Sequence, residues 1–290
     1  MKVYLLAFLI SFQCFSQSKE QLIESIIKHN VYESEQTGYS GSPSKQYENF
    51  MQLTQLLSKE EMAQLTNHKN GVLRTYATTY LIKEKDTDPT LLFSNEVNRN
   101  ETIKTLRGCL GGNDRTSDII YYSYWNKIRT EAAKGISYEL NDLVEEAENK
   151  KVKTDVKMKE MDSIIVSGSD KVGWLLYVQA FENNNFEKTL MPKIEKLGFQ
   201  QNNPYALGYL ISNYPDLYKV SVYNYYKEEF TKLKFTDSEE STMYFHEFLE
   251  LLLKTGDKKI QQIAVNAVKR SSHVKSTWFK NTFEDYNIKL

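Results

Sequence analysis

The chain is poor in the residues that break regular structure: 290 residues hold only 12 glycines and 5 prolines. β-Sandwiches and barrels spend such residues on frequent tight turns, so their scarcity speaks against an all-β architecture and for helices. Cysteine is scarcer still, at 2. One of them, Cys14, lies just after an N-terminal apolar stretch, and if the chain is cut after Ser16 only Cys109 remains, which excludes a small scaffold stapled by disulfides. Excess charge is missing as well, because 37 Lys plus Arg face 38 Asp plus Glu. Without a basic surplus, no long-range field draws the chain to nucleic acid or to an anionic surface. A membrane-crossing helix needs ~20 apolar residues in a row. The most apolar stretch, residues 3–12 (VYLLAFLISF), is well short of that.

That stretch has another meaning. Lys2 precedes it, and Gln13, Cys14, Phe15 and Ser16 lead into the polar Gln17-Ser18-Lys19-Glu20. A cation, a short apolar segment and small side chains at the −3 and −1 positions (Cys14, Ser16) are the three regions of a secretory signal peptide. Cleavage after Ser16 and export to a periplasmic or extracellular space are therefore expected. Lipidation of Cys14, as in a bacterial lipoprotein, fits less well, since Phe12 and Gln13 are not the small residues that signal places before its cysteine.

Along the mature chain, apolar residues recur at helical spacing. Leu22, Ile23, Ile26 and Ile27 mark a first helix that gives way to the loop at residues 37–43 (TGYSGSP). A second carries Tyr47, Phe50, Met51, Leu53, Leu56 and Leu57, and Ser58-Lys59-Glu60-Glu61 reads as a capping box that opens a third. After His68-Lys69-Asn70, a fourth helix puts Val72, Leu73, Tyr76, Ala77, Tyr80 and Leu81 on one broad face. Residues 98–118 are polar and Gly-rich and read as a long loop; residues 119–125 (IIYYSYW) read as helix despite their β-branched and aromatic content. The charged stretch 145–162 places a regional boundary near residue 155, between a helical region at 17–154 and another at 155–290.

Residues 65–82 (LTNHKNGVLRTYATTYLI) resemble the turn and second helix of a HEAT repeat, with Leu73, Arg74 and Ala77 in that family's frame and Gly71 where it prefers proline. Residues 251–268 (LLLKTGDKKIQQIAVNAV) repeat the frame with Ile260, Gln261 and Ala264, and residues 202–215 have the proline-led short helix without the arginine. The resemblance is loose, with no constant period. It implies an all-α fold, an irregular α-α superhelix of stacked helix hairpins, in which Arg74 hydrogen-bonds between helices instead of forming a site.

Chemical motifs are few. Cys109 lies in Arg107-Gly108-Cys109-Leu110-Gly111-Gly112-Asn113-Asp114, where a thiol can be acidified, yet a nucleophile needs a base and His29, His68, His246 and His273 are scattered. The glycines lack the Lys-Ser/Thr ending of a phosphate-binding loop. His246-Glu247-Phe248-Leu249-Glu250 begins like the zinc-protease string HExxH, but the second histidine is absent, so neither metal nor cofactor is expected. Asp114, Asp118, Asp142 and Glu145 are among many carboxylates whose separation in space cannot be read from the chain. The 20 tyrosines cluster with Trp125, and Tyr121, Tyr122, Trp125, Tyr223 and Tyr226 are the expected interaction surface. The expectation is a helical-repeat module that holds a protein or glycan without catalysis; the alternative is an extracytoplasmic hydrolase using carboxylates or Cys109 with a histidine.

Overall fold

The structure, a computed structural model, describes residues 17–84, 86–137, 139–168, 172–183 and 185–290. The signal peptide and the lipidation reading of Cys14 therefore lie outside the described residues. The chain is mostly helical, with 15 helices and a small four-stranded sheet among the described residues. No helix among the described residues is long and apolar enough to cross a membrane. Two compact units divide it, one up to Tyr124 and one from Trp125.

The N-terminal unit opens with α1 (Lys19–His29), which Ser18 and Gln21 start with a reciprocal capping box and Asn30 stops in the left-handed region at φ 55. It packs on α2 (Lys45–Leu56) and on α4 (Gly71–Ile82), burying Leu22 and Ile26 against Phe50, Leu53, Leu73 and Ala77. The predicted capping box at Ser58 opens α3 (Lys59–Leu65). α4 is buried on nearly every side, which is why its apolar face looked so broad. α5 (Pro89–Arg99) completes the helices, capped by Asp88 with Pro89 in its first turn.

The mostly helical character matches the all-α expectation, and a small sheet is added to it. β1 (Tyr32–Thr37) pairs antiparallel with the two-residue β2 (Ser42–Pro43) and parallel with β3 (Thr102–Gly108), which forms a hairpin with β4 (Leu110–Arg115), giving the order β2-β1-β3-β4. The expected long loop at 98–118 thus contains a hairpin in register from Thr102 opposite Arg115 to Arg107 opposite Leu110. Its tip is Gly108-Cys109, with Gly108 at φ 57, a conformation glycine adopts without strain. Composition concealed the strand because β4 is an edge whose backbone does the pairing: Leu110, Gly111, Gly112 and Asn113 are all exposed. Tyr76 ties sheet to helices, its hydroxyl donating to the Glu33 carbonyl at 2.8 Å and accepting from the Glu33 N–H at 2.7 Å.

The second unit continues α6 (Thr116–Ala133), so residues 119–125 are helical as expected. The charged stretch forms α7 (Asn141–Thr154) and α8 (Val156–Ser167), separated at Asp155, whose carboxylate accepts from the N–H groups of Lys157 and Met158. There follow α9 (Trp174–Asn183), the short α10 (Met191–Glu195), α11 (Pro204–Asn213), α12 (Pro215–Glu228), α13 (Glu239–Lys254), α14 (Lys258–Arg270) and α15 (Thr277–Asp285). A π-helical turn, Lys196–Gln200, precedes α11, and Gly198 lets it touch that helix: a Cβ there would lie 2.9 Å from Leu207 Cδ2. The core gathers Leu207, Val222, Phe248, Leu252, Ile260 and Phe283.

The two HEAT-like stretches share local chemistry. Asn70 caps α4 by accepting from Leu73 N at 2.9 Å, and Asp257 caps α14 by accepting from Ile260 N at 3.2 Å. Arg74 reaches back to the His68 carbonyl at 2.7 Å, and Gln261 to the Leu253 carbonyl at 3.0 Å. Ala77 and Ala264 are buried where the helices meet, and Ile263 is partly buried.

Candidate functional site

α13 has two apolar or mixed faces. Phe245, Phe248, Leu249, Leu252 and Leu253 enter the core, while Met243, Glu247, Glu250, Leu251 and Lys254 form a second stripe at helical spacing. α11 presents Tyr205, Gly208, Tyr209 and Ser212 in the same rhythm, and α9 presents Trp174, Val178, Phe181 and Glu182. The three helices pack pairwise, and these stripes enclose a cavity of about 470 Å³ within the C-terminal unit. Gly208 sets the spacing, since a Cβ there would lie 3.3 Å from Leu251 Cδ2.

The walls are aromatic and held in place. Phe181 and Tyr209 lie 5.2 Å apart, Phe186 packs edge-on to Tyr209 at 5.5 Å, and the Phe186 N–H donates to the Tyr209 hydroxyl at 2.9 Å. Tyr205 meets Tyr244 in an edge-to-face contact at 5.7 Å. Burial and the nearby carboxylates of Glu247 and Glu240 raise the Tyr205 hydroxyl above its ordinary range.

Glu247 dominates the electrostatics. Its carboxyl is driven above the usual carboxylate range by burial, with Lys254 opposing and Glu250 and Glu182 adding to the rise. Among the described residues no hydrogen bond or ion pair reaches it, and its oxygens keep contact with solvent. Lys254 is engaged by Glu250 at 2.8 Å. No group of three His, Cys, Asp or Glu among the described residues could hold a metal ion.

His246, the first residue of the HExxH-like string, faces away from Glu247. It is buried, its Nε2 lies 2.9 Å from Thr282 Oγ1, and its ring stacks on Trp278 at 4.0 Å. Cys109 is exposed at the hairpin tip. Of the histidines in its own unit, His29 pairs with Glu33 at 2.6 Å and His68 Nδ1 accepts from the Asn70 N–H at 3.0 Å, so each ring is engaged elsewhere.

The five expected surface aromatics divide. Tyr121 and Tyr226, at 0% and 1% exposure, belong to the core, where Tyr121 meets Phe93 and Tyr226 meets Phe230 and Phe248. The reason is periodicity: Val222, Tyr225 and Tyr226 form the inward stripe of α12, and Tyr223 stands at its margin, partly exposed. Tyr122 is half-buried, and burial pushes its hydroxyl up to about 12. Trp125 keeps partial exposure beneath the Arg129 guanidinium, which sits 3.9 Å over its ring and pairs with Glu148. The groove residues escaped the sequence reading, although α13 carries their signal in the stripe Met243, Glu247, Glu250, Leu251 and Lys254 opposite its core face.

Compared with protein-family models, curated proteins and solved structures, the chain matches none. Fold and groove geometry therefore carry the functional reading.

Proposed function

We propose that this chain is an exported helical binding protein that holds an extracytoplasmic partner in the groove between α9, α11 and α13 and catalyses nothing. The single observation that carries this is the groove itself: rings fixed on two helices, an unpaired half-buried carboxyl on the third, and a volume in the range of ligand pockets. The helix hairpins α3–α4 and α13–α14 are read as HEAT-like units, supported by their matching caps and back-reaching Arg74 and Gln261. In such architectures each hairpin buries its apolar stripe on a neighbour and leaves a face for a partner.

One observation favours a second reading, an extracytoplasmic hydrolase. Glu247 and Glu250 are neighbouring carboxyls in different surroundings, one desolvated and one ion-paired, which is how acid and base roles become separated. They project from one face of one helix, however, whereas the two carboxyls of glycoside cleavage flank the bond they break. Binding is the better account.

Ser212 is exposed at the groove rim. Ser212→Trp fills the groove without disturbing the core, and capture of an envelope partner by the wild-type protein is expected to disappear in this variant. Equal capture by both, or hydrolysis of a model glycan or peptide that Glu247→Gln abolishes, would overturn the proposal.

A further inference from the structure

We infer that the groove accepts a lysine side chain presented by a basic segment of a partner protein, its ammonium against Glu247 and its stem along the rings of Trp174, Phe181 and Tyr205. This rests on the binding reading and names its ligand chemistry.

Charge complementarity comes first. Among the described residues Glu182, Glu247 and Glu250 line the groove with one cation, Lys254, and that cation is committed to Glu250. Glu247 is left half-buried with no donor among the described residues. The half-buried carboxylate has water as its remaining donor, and an ammonium brings three N–H donors and the compensating charge together. Neutral glycan hydroxyls supply donors but no charge. The carboxylates are not gathered as metal ligands, so a point cation is poorly served, whereas a charge on a flexible apolar stem can reach Glu247 past the rim. Aromatic walls suit that stem and attract the ammonium through their faces. Glu182 and Ser212 are exposed, so the entrance faces solvent and a side chain can enter while its backbone stays outside.

Binding should also move a proton. The groups around Glu247 are Glu250 and Lys254 on its own helix, Glu182 on α9, Tyr205 on α11, Tyr226 on α12 and Tyr286 just after α15. A cation beside Glu247 favours its ionised form, so complex formation releases protons, and affinity rises as pH climbs through the range in which free Glu247 titrates.

The test is titration calorimetry with acetyl-Gly-Lys-Gly-amide and its norleucine counterpart, in two buffers of different ionisation enthalpy. The lysine peptide is expected to bind with proton release and the norleucine peptide at least about tenfold more weakly, the scale of one charge-assisted hydrogen bond. Glu247→Gln should cost a similar factor and abolish the proton release. Glu182→Gln, at an exposed position where the fold is not at stake, should weaken binding less. Equal affinity for the two peptides, unchanged affinity in both variants, or binding of 1,5-diaminopentane while the lysine peptide does not bind would overturn the inference. If the inference alone fails, partner capture sensitive to Ser212→Trp persists; if the binding reading fails, that capture is lost as well.

Discussion

Arg74 is enclosed by acceptors. Its Nε lies 2.9 Å and a terminal nitrogen 3.3 Å from the two Glu96 oxygens, another nitrogen donates to the His68 carbonyl at 2.7 Å, and Glu101 closes the set. Both members of the central pair are shut away from water, Arg74 at 2% and Glu96 at 1% exposure. Arg99 also reaches Glu96 at 2.5 Å, so removing Arg74 takes away its charge-assisted hydrogen bonds without leaving Glu96 unpaired, and Arg74→Leu is expected to cost about 2–3 kcal/mol in urea unfolding. Arg74→Lys should recover only part, because an ammonium cannot make the forked contact. The HEAT frame marked Arg74 as a hydrogen-bonding residue, but Glu96 and Glu101 lie 22 and 27 residues onward and nothing local pairs them with it. His246 belongs to the same scale. Burial holds it below its ordinary range, so the folded state favours the neutral ring. As pH falls through the ordinary histidine value of ~6.5, the unfolded chain takes up a proton that the folded chain resists. Stability is therefore fullest above that pH and declines below it, and His246→Gln should flatten this part of the thermal-melting profile against pH. A steeper acid decline in the variant would contradict this. The sequence grouped His246 with Glu247 and Glu250, but helical rotation turns it toward Thr282 and Trp278 instead.

At the level of elements, helices were legible where cap and periodicity agreed, as at Ser58, while the caps at Ser18 and Asp257 emerge only in the structure. The sheet was not, because β3 and β4 are held by a backbone ladder and only Ile103 and Thr105 turn inward. That sheet explains why the HEAT-like frame departs at Gly71. α4 starts directly over the chain entering β3, and a Cβ at Gly71 would lie 2.4 Å from a Glu101 carboxylate oxygen and 2.8 Å from Ile103 Cγ2. Proline, which the family prefers there, is excluded by the same crowding. Gly71→Ala is expected to destabilise the fold by about 1–3 kcal/mol, the usual cost of overpacking, read as a lower denaturation midpoint. Asn70→Ala removes only the neighbouring cap and should cost about 1 kcal/mol. If the two variants melted alike, helix-end strain in place of contact with Glu101 and Ile103 would be the governing effect.

For the whole molecule, the groove shows why function was less legible than helix content. Its three walls come from α9, α11 and α13, and their joint geometry is set by packing between segments far apart in sequence. The N-terminus is the opposite case, a feature carried by local chemistry. Ser18 accepts from the Gln21 N–H at 3.3 Å while its own N–H donates to the Gln21 side chain at 3.0 Å, so the start of α1 is closed by residues on the mature side of the proposed cut. α1 then anchors through Leu22 and Ile26, which are buried against α2 and α4. Cleavage after Ser16 would leave both the cap and the anchor intact. A chain beginning at Gln17 is therefore expected to keep a cooperative thermal melt, with cap and anchor in place. Expressed with its own leader in a secreting bacterium, the exported protein should show an intact mass starting at Gln17. A truncated chain that loses stability would show that α1 depends on what precedes it, and full-length protein retained in the cytosol would defeat export itself.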